Sequence, residues 1–81
     1  MDERPSIDLK GIVIAAEWAP DGDVTAVDIA GYDEKRYRIA DDSKGRQLRR
    51  LVKRKVVMRG RLVRENQRDL FFVEAFRIDA D

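Results

Sequence analysis

The spacing of apolar residues changes along the chain from the alternation of strands to a helical spacing, and then back again. Alternating or β-branched segments occur in three early stretches and two late ones: 9–18, 24–30, 36–40, 56–64 and 70–78. Between the third and the fourth of these, residues 41–54 show the helical spacing. We therefore predict a mainly β chain with three strands, one helix and two further strands.

The predicted helix is short, basic and amphipathic. Its candidate capping residues are Asp41, Asp42 and Ser43, whose side chains accept hydrogen bonds from backbone N–H groups of a first helical turn. Its apolar stripe, at positions i, i+3 and i+4, consists of Leu48, Leu51 and Val52. Gly45 disfavours a helix interior, so the start can shift as far as this residue.

Polar segments separate the predicted strands. The strongest turn signal is the sequence APDGD at residues 19–23, because proline fixes one φ and glycine tolerates a positive φ. Two further turns are predicted at residues 31–34 and 65–69. Gly11 and Gly60 lie within long strands, where glycine permits a bend or bulge; close approach to a ligand is the alternative.

Alternation predicts which side chains share a face of each strand. In the second strand, Val27 and Ile29 lie on one face, and Val24, Ala26, Asp28 and Ala30 lie on the opposite, exposed face. In the third strand, Tyr37 and Ile39 lie on one face and Arg36 and Arg38 on the other. In the fourth strand one face has Val56, Met58, Gly60 and Leu62, and the other has Val57, Arg59, Arg61 and Val63. The last strand is apolar on both faces, so the inward set among Phe71, Phe72 and Phe76 stays open.

Composition restricts the chemistry that the chain can perform. The 81 residues include no cysteine and no histidine, which excludes disulfides, Cys/His zinc sites, haem and iron–sulfur ligation, and Ser-His-Asp triads. No apolar stretch approaches the roughly 20 residues that span a bilayer, and residues 1–5 lack the apolar run of a signal peptide. We expect a cytoplasmic protein that is not an enzyme and that uses no metal or cofactor.

The order of elements and two sequence motifs resemble a known fold family. The motifs are KGIV at residues 10–13 and LVKRKVVMRGRLV at residues 51–63. They are similar to those of small bacterial OB-fold proteins, including the group called tRNA-anticodon-like. The resemblance implies a five-stranded Greek-key barrel with one helix between strands three and four. We predict a single OB-fold domain at residues 7–79 after a flexible N-terminus at residues 1–6.

OB-folds commonly bind oligonucleotides or oligosaccharides on the face of strands two and three. Here the charge is concentrated elsewhere: residues 35–64 carry thirteen basic and two acidic residues, whereas both flanking segments are acidic. The candidate nucleic-acid contacts on the helix and strand four are Arg46, Arg49, Arg50, Lys53, Arg54, Arg59, Arg61 and Arg64. These side chains attract phosphates through counterion release; the alternative is that solvent or nearby acids neutralise them.

The function that we predict is weak binding of single-stranded DNA or RNA through this basic surface. Candidate stacking residues are Trp18, Tyr32 and Tyr37, which a small barrel can also need for its core. Two alternatives stay open. The first is protein–protein interaction or self-association, because acidic and basic segments offer complementary surfaces. The second is oligosaccharide binding through the same aromatic residues.

Overall fold

The predicted strands and helical segment form in the predicted order. A computed structural model describes residues 5–79, so that the predicted flexible N-terminus at residues 1–6 lies outside the described residues except for Pro5 and Ser6. The strands are β1 (Ile7–Trp18), β2 (Val24–Gly31), β3 (Arg36–Ile39), β4 (Lys55–Glu65) and β5 (Arg68–Ile78). A short helix α1 (Ser43–Gln47) continues into a 3₁₀ helix (Leu48–Leu51) between β3 and β4.

The five strands close into a barrel in the order β1-β2-β3-β5-β4. Neighbouring strands are antiparallel, except that β3 and β5 pair in parallel and thereby close the barrel. This confirms the predicted mainly β, five-stranded barrel with a helix between strands three and four, which is the architecture of the OB-fold.

The core fills the interior of the barrel, as the alternation predicted. One alternating face is buried in each of three strands: Val27 and Ile29 in β2, Tyr37 and Ile39 in β3, and Val56, Met58 and Gly60 in β4. Leu48 of the 3₁₀ helix is fully buried in the same cluster, so the helical segment covers one end of the barrel. Burial of a side chain of this size contributes about 1.5–3 kcal/mol.

A bulge in β5 determines which phenylalanine side chains face the core. Arg59 pairs with Ala75 but Gly60 pairs with Val73, so β5 contains one extra residue, Glu74. The extra residue shifts the alternation of side chains by one position. Phe71 and Phe76 therefore both pack on the core. Phe72 lies between the inward residues Phe71 and Val73 and therefore points outward.

Gly11 and Gly60, the two glycines predicted within long strands, lie where neighbouring backbones approach closely. A Cβ on Gly60 would collide with the carbonyl oxygen of Phe72, and one on Gly11 with that of Ala30. Gly60 borders the β5 bulge, so a structural role at a bend accounts for it without a ligand.

The helical segment differs from the prediction at its end. Asp42 is the N-cap, with Oδ1 accepting a hydrogen bond from the backbone N–H of Gly45 at 2.8 Å. Val52 has φ −55° and ψ 135°, so it lies outside the helix although its side chain still packs on the core. The helix ends early because Lys53 adopts φ 73° and donates its N–H to the Val13 carbonyl oxygen at 2.6 Å, which directs the chain along β1.

Two other predictions need correction. The last turn is shorter than residues 65–69, since Glu65 already pairs with Arg68 and the loop consists of Asn66 and Gln67. Both have a positive φ, which is typical of a two-residue hairpin loop. The predicted outer face of β2 is half-buried or buried rather than exposed. At Val24 the register shift near Glu17 reverses the alternation, so this side chain packs on the core.

Candidate ligand-binding groove

The eight cationic residues predicted as one surface are spread over several faces of the barrel. Arg46 and Arg49 line one groove, and Arg64 lines a neighbouring recess. The other five lie outside these two linings: Arg50, Lys53, Arg54, Arg59 and Arg61. The helix and strand-four arginines therefore do not line one common surface recess.

Arg46 and Arg49, the two predicted residues that line the groove, both form ion pairs with Asp41. Its Oδ1 atom accepts hydrogen bonds from Arg46 Nε at 2.8 Å and from Arg49 Nη2 at 3.0 Å. The hydrogen bond from Arg46, together with the positive charges of Arg46 and Arg49, lowers the pKa of Asp41 despite some desolvation. Asp41 is consequently ionised at neutral pH and forms an ion pair with each of the two guanidinium groups.

Acidic neighbours also hold the β4 arginines. Arg59 Nε donates to Asp8 Oδ1 at 2.9 Å, and this hydrogen bond lowers the pKa of Asp8. The remaining pairs are Arg61 with Glu74 and Arg64 with Asp69, both at 3.2 Å. Within residues 5–79, no acidic partner pairs with Arg50, Lys53 or Arg54. Nearby acids thus neutralise part of the predicted set, and phosphate binding by these residues stays a prediction.

A groove of about 400 Å³ gathers arginines from three parts of the chain. The arginine groove, as we call it, is defined by Arg38 of β3, Arg46 and Arg49 of the helical segment, Arg68 of β5, and the apolar Leu70 and Phe72. Three acids, Glu17, Asp41 and Glu65, also line it. The groove lies beside β2 and β3, on the face that OB-folds commonly use.

The parallel pairing of β3 and β5 assembles this groove. Arg38 pairs with Leu70, and paired residues of neighbouring strands project to the same side of the sheet. Because Phe71 faces the core, Arg68, Leu70 and Phe72 face outward next to Arg38. Residues distant in sequence therefore share one outer surface.

Asp28 fixes the orientation of the β3 arginines. Its carboxylate accepts hydrogen bonds from Arg38 Nε at 2.7 Å and Arg36 Nε at 2.9 Å, and the residue is only 8% exposed. Arg38 Nη1 also donates to Glu17 at 3.3 Å. Burial lowers the pKa of Arg38, but the hydrogen bond and charge of Asp28 outweigh it and leave the pKa raised. Arg38 is thus a fixed positive charge at the groove.

Sequence reasoning missed Arg36, Arg38 and Arg68 as candidate site residues. These three arginines line a second recess of about 380 Å³, which shares Arg38 and Arg68 with the arginine groove. Alternation predicts that Arg36 and Arg38 share the charged face of β3, and this signal is sufficient to identify them. Arg68 carries no such signal, because it lies in the predicted turn at residues 65–69.

The three predicted stacking residues occupy different environments. Tyr37 is 7% exposed in the core, and its hydroxyl donates to Asp33 Oδ2 at 2.9 Å, so its ring presents no free face. Burial and this hydrogen bond raise the pKa of Tyr37. Trp18 and Tyr32 are 61% and 57% exposed, but neither lines the arginine groove.

A hydrogen bond between the two acidic residues of the first hairpin loop stabilises the turn. Asp21 Oδ1 accepts a hydrogen bond from the backbone N–H of Asp23 at 3.0 Å, and Gly22 has φ 95°.

In the described part of the chain, no three His, Cys, Asp or Glu side chains are grouped so that they could hold a metal ion. Nor do residues 5–79 contain a helix long and apolar enough to cross a membrane.

Fold and groove together define a small barrel of the OB-fold architecture with an arginine-lined outer groove. Comparisons with protein-family models, with curated proteins and with solved structures found no match to this chain. The resemblance to small bacterial OB-fold proteins of the tRNA-anticodon-like group thus stays a prediction from the sequence motifs.

Proposed function

We propose that the protein is a non-enzymatic module that binds single-stranded nucleic acid in the arginine groove. The observation that supports this is the gathering of four arginines from β3, the helical segment and β5 around one groove. Guanidinium groups match the geometry of phosphate oxygens and can bind them bidentately. The proposal retains Arg46 and Arg49 from the predicted surface and adds Arg38 and Arg68.

The form of the groove favours a single strand over a duplex. The arginines line a recess, which a flexible strand can enter, whereas proteins commonly read a duplex with an element that projects into its groove. The three acids in the lining oppose phosphate binding, so we expect weak affinity that falls steeply with salt.

A neutralising double variant tests the proposal. In Arg46→Gln/Arg68→Gln, we expect weaker binding of a fluorescent single-stranded oligonucleotide, measured by anisotropy over a range of salt concentrations. Each lost phosphate contact lowers the slope of log affinity against log salt by about 0.7, so the slope should fall by about 1.4.

The matched control is Arg59→Gln/Arg77→Gln. It removes the same charge from a different recess, on the outer side of β4 and β5, and should leave the salt slope unchanged. An equal fall of the slope in both variants would contradict binding in the groove, because it would show a general effect of charge. Absence of binding by the unaltered protein at low salt would refute the proposed function.

Protein interaction is the second candidate, and the exposed Trp18 and Tyr32 favour it. Large exposed aromatic side chains are enriched in protein interfaces. Analytical ultracentrifugation tests self-association: a monomer at high protein concentration would count against it. Oligosaccharide binding and the cytoplasmic location stay predictions from the sequence.

A further inference from the structure

Phe72 is an aromatic side chain that the core does not use. It pairs with Arg61 of β4 on the outer surface, between the inward residues Phe71 and Val73. It is half-buried, although its strand neighbours Phe71 and Val73 are buried. An outward phenylalanine contributes less to folding than an inward one, because part of its apolar surface stays in water.

The position of Phe72 connects two recesses. It lines the arginine groove on one side, and on the other a recess of about 410 Å³ that Arg61 and Val63 also line. Among the six aromatic residues of the chain, all of which are described, Phe72 alone lines the arginine groove. Trp18 and Tyr32 are more exposed but lie outside it.

The surroundings of Phe72 suit a nucleotide. Arg68 lies on the same outer face of β5, and Arg46 lines the same groove. A strand whose phosphates bind these guanidinium groups would carry its bases within the groove, where Leu70 and Phe72 form part of the apolar lining. Bases stack on aromatic rings irrespective of sequence, because every base has a π-face.

We propose that Phe72 is the base-stacking residue of the arginine groove. This inference rests on the proposed function and adds the contact that recognises bases rather than phosphates. It implies that the ligand is a strand with unpaired bases, and that a polyanion without bases binds through the arginines alone.

Phe72→Leu tests the inference, since it retains an apolar side chain and removes the ring. We expect this variant to bind a short thymidine oligonucleotide about 5-fold to 150-fold more weakly than the unaltered protein. The matched control is Tyr32→Leu, which removes an exposed ring outside the groove and should bind normally. Urea unfolding of both variants confirms that each is folded.

An abasic oligonucleotide of the same length separates stacking from charge. It should bind Phe72→Leu and the unaltered protein equally, because it offers phosphates but no bases. A direct reporter is Phe72→Trp in a Trp18→Phe background, whose fluorescence should be quenched when the thymidine oligonucleotide stacks on it.

The failures of the two proposals are distinguishable. Normal thymidine binding by Phe72→Leu, or an equal loss on the abasic strand, overturns the stacking role while the groove still binds. Failure of the unaltered protein to bind either strand overturns both proposals.

Discussion

At the scale of single residues, Asp41 determines how available the arginine groove is. One of its oxygens accepts hydrogen bonds from both Arg46 and Arg49, and its own side chain is 63% exposed. An exposed ion pair contributes little to stability, because water screens the two charges. A phosphate can therefore displace this carboxylate, but must compete with it.

Replacement of Asp41 by asparagine should strengthen binding. Asp41→Asn removes the competing charge and leaves the helix cap, Asp42, in place. We expect about twofold to fivefold tighter binding of a single-stranded oligonucleotide at low salt, measured by anisotropy. The control Asp8→Asn frees Arg59 outside the groove and should change affinity less. Unchanged or weaker binding by Asp41→Asn would show that phosphate does not use these two arginines.

At the scale of elements, the short helix α1 is shaped by its packing rather than by helix propensity. Gly45 is buried in its middle, where isolated helices disfavour glycine by about 1 kcal/mol. A Cβ at this position would collide with the carbonyl oxygen of Ala40 and lie 3.0 Å from Ile39 Cγ2. The close contact with the end of β3 holds the helical segment, and with it Arg46, at the edge of the groove.

Gly45→Ala should therefore destabilise the protein, opposite to the sign that propensity predicts. We expect a loss of about 1–3 kcal/mol in the free energy of unfolding, because overpacking displaces the backbone of α1 or β3. Lys44→Ala, at an exposed position of the same helix, should change it by less than about 0.5 kcal/mol. Urea unfolding monitored by circular dichroism measures both. A more stable Gly45→Ala protein would contradict this packing.

At the scale of the whole molecule, the nearly balanced charge is organised into many ion pairs, which makes stability depend on pH. Hydrogen bonds lower the pKa of three aspartates below the ordinary 3.8: from Arg59 to Asp8, from the Lys35 backbone and then Tyr37 to Asp33, and from Arg46 to Asp41. A carboxyl group with a lower pKa in the folded state stabilises the fold above its unfolded pKa. That contribution is lost as the pH falls through the folded pKa.

We therefore expect constant stability near neutral pH and a decline below about pH 4. The raised pKa of Tyr37 affects stability at high pH. The tyrosine stabilises the fold below its ordinary pKa of 10.0, and this contribution is lost as the pH rises through the raised pKa of the folded state. Urea midpoints over this pH range measure both effects. Asp33→Asn should reduce the acid-induced loss. A midpoint that rises on acidification would contradict the role assigned to these carboxylates.

Local patterns were sufficient to predict the elements and most of their faces. Val27 and Ile29, for example, face the core as alternation requires, since a strand's side chains alternate whatever its partners are. The β5 bulge was not predictable, because the extra residue Glu74 is defined only by the pairing of β5 with β4. The meeting of Arg38 with Arg68 in one groove was not predictable for the same reason, since these residues come together only through the parallel pairing of β3 and β5.

The sequence by itself determined the order of strands and helix, the residues that share a face in β2 and β3, and the concentration of positive charge. These follow from periodicity and composition, which are local properties of the chain. Only the tertiary structure decided which arginines share a groove, which of them acids already hold, and that Phe72 faces outward. Those features depend on strand register and on barrel closure, which bring together residues that are distant along the chain.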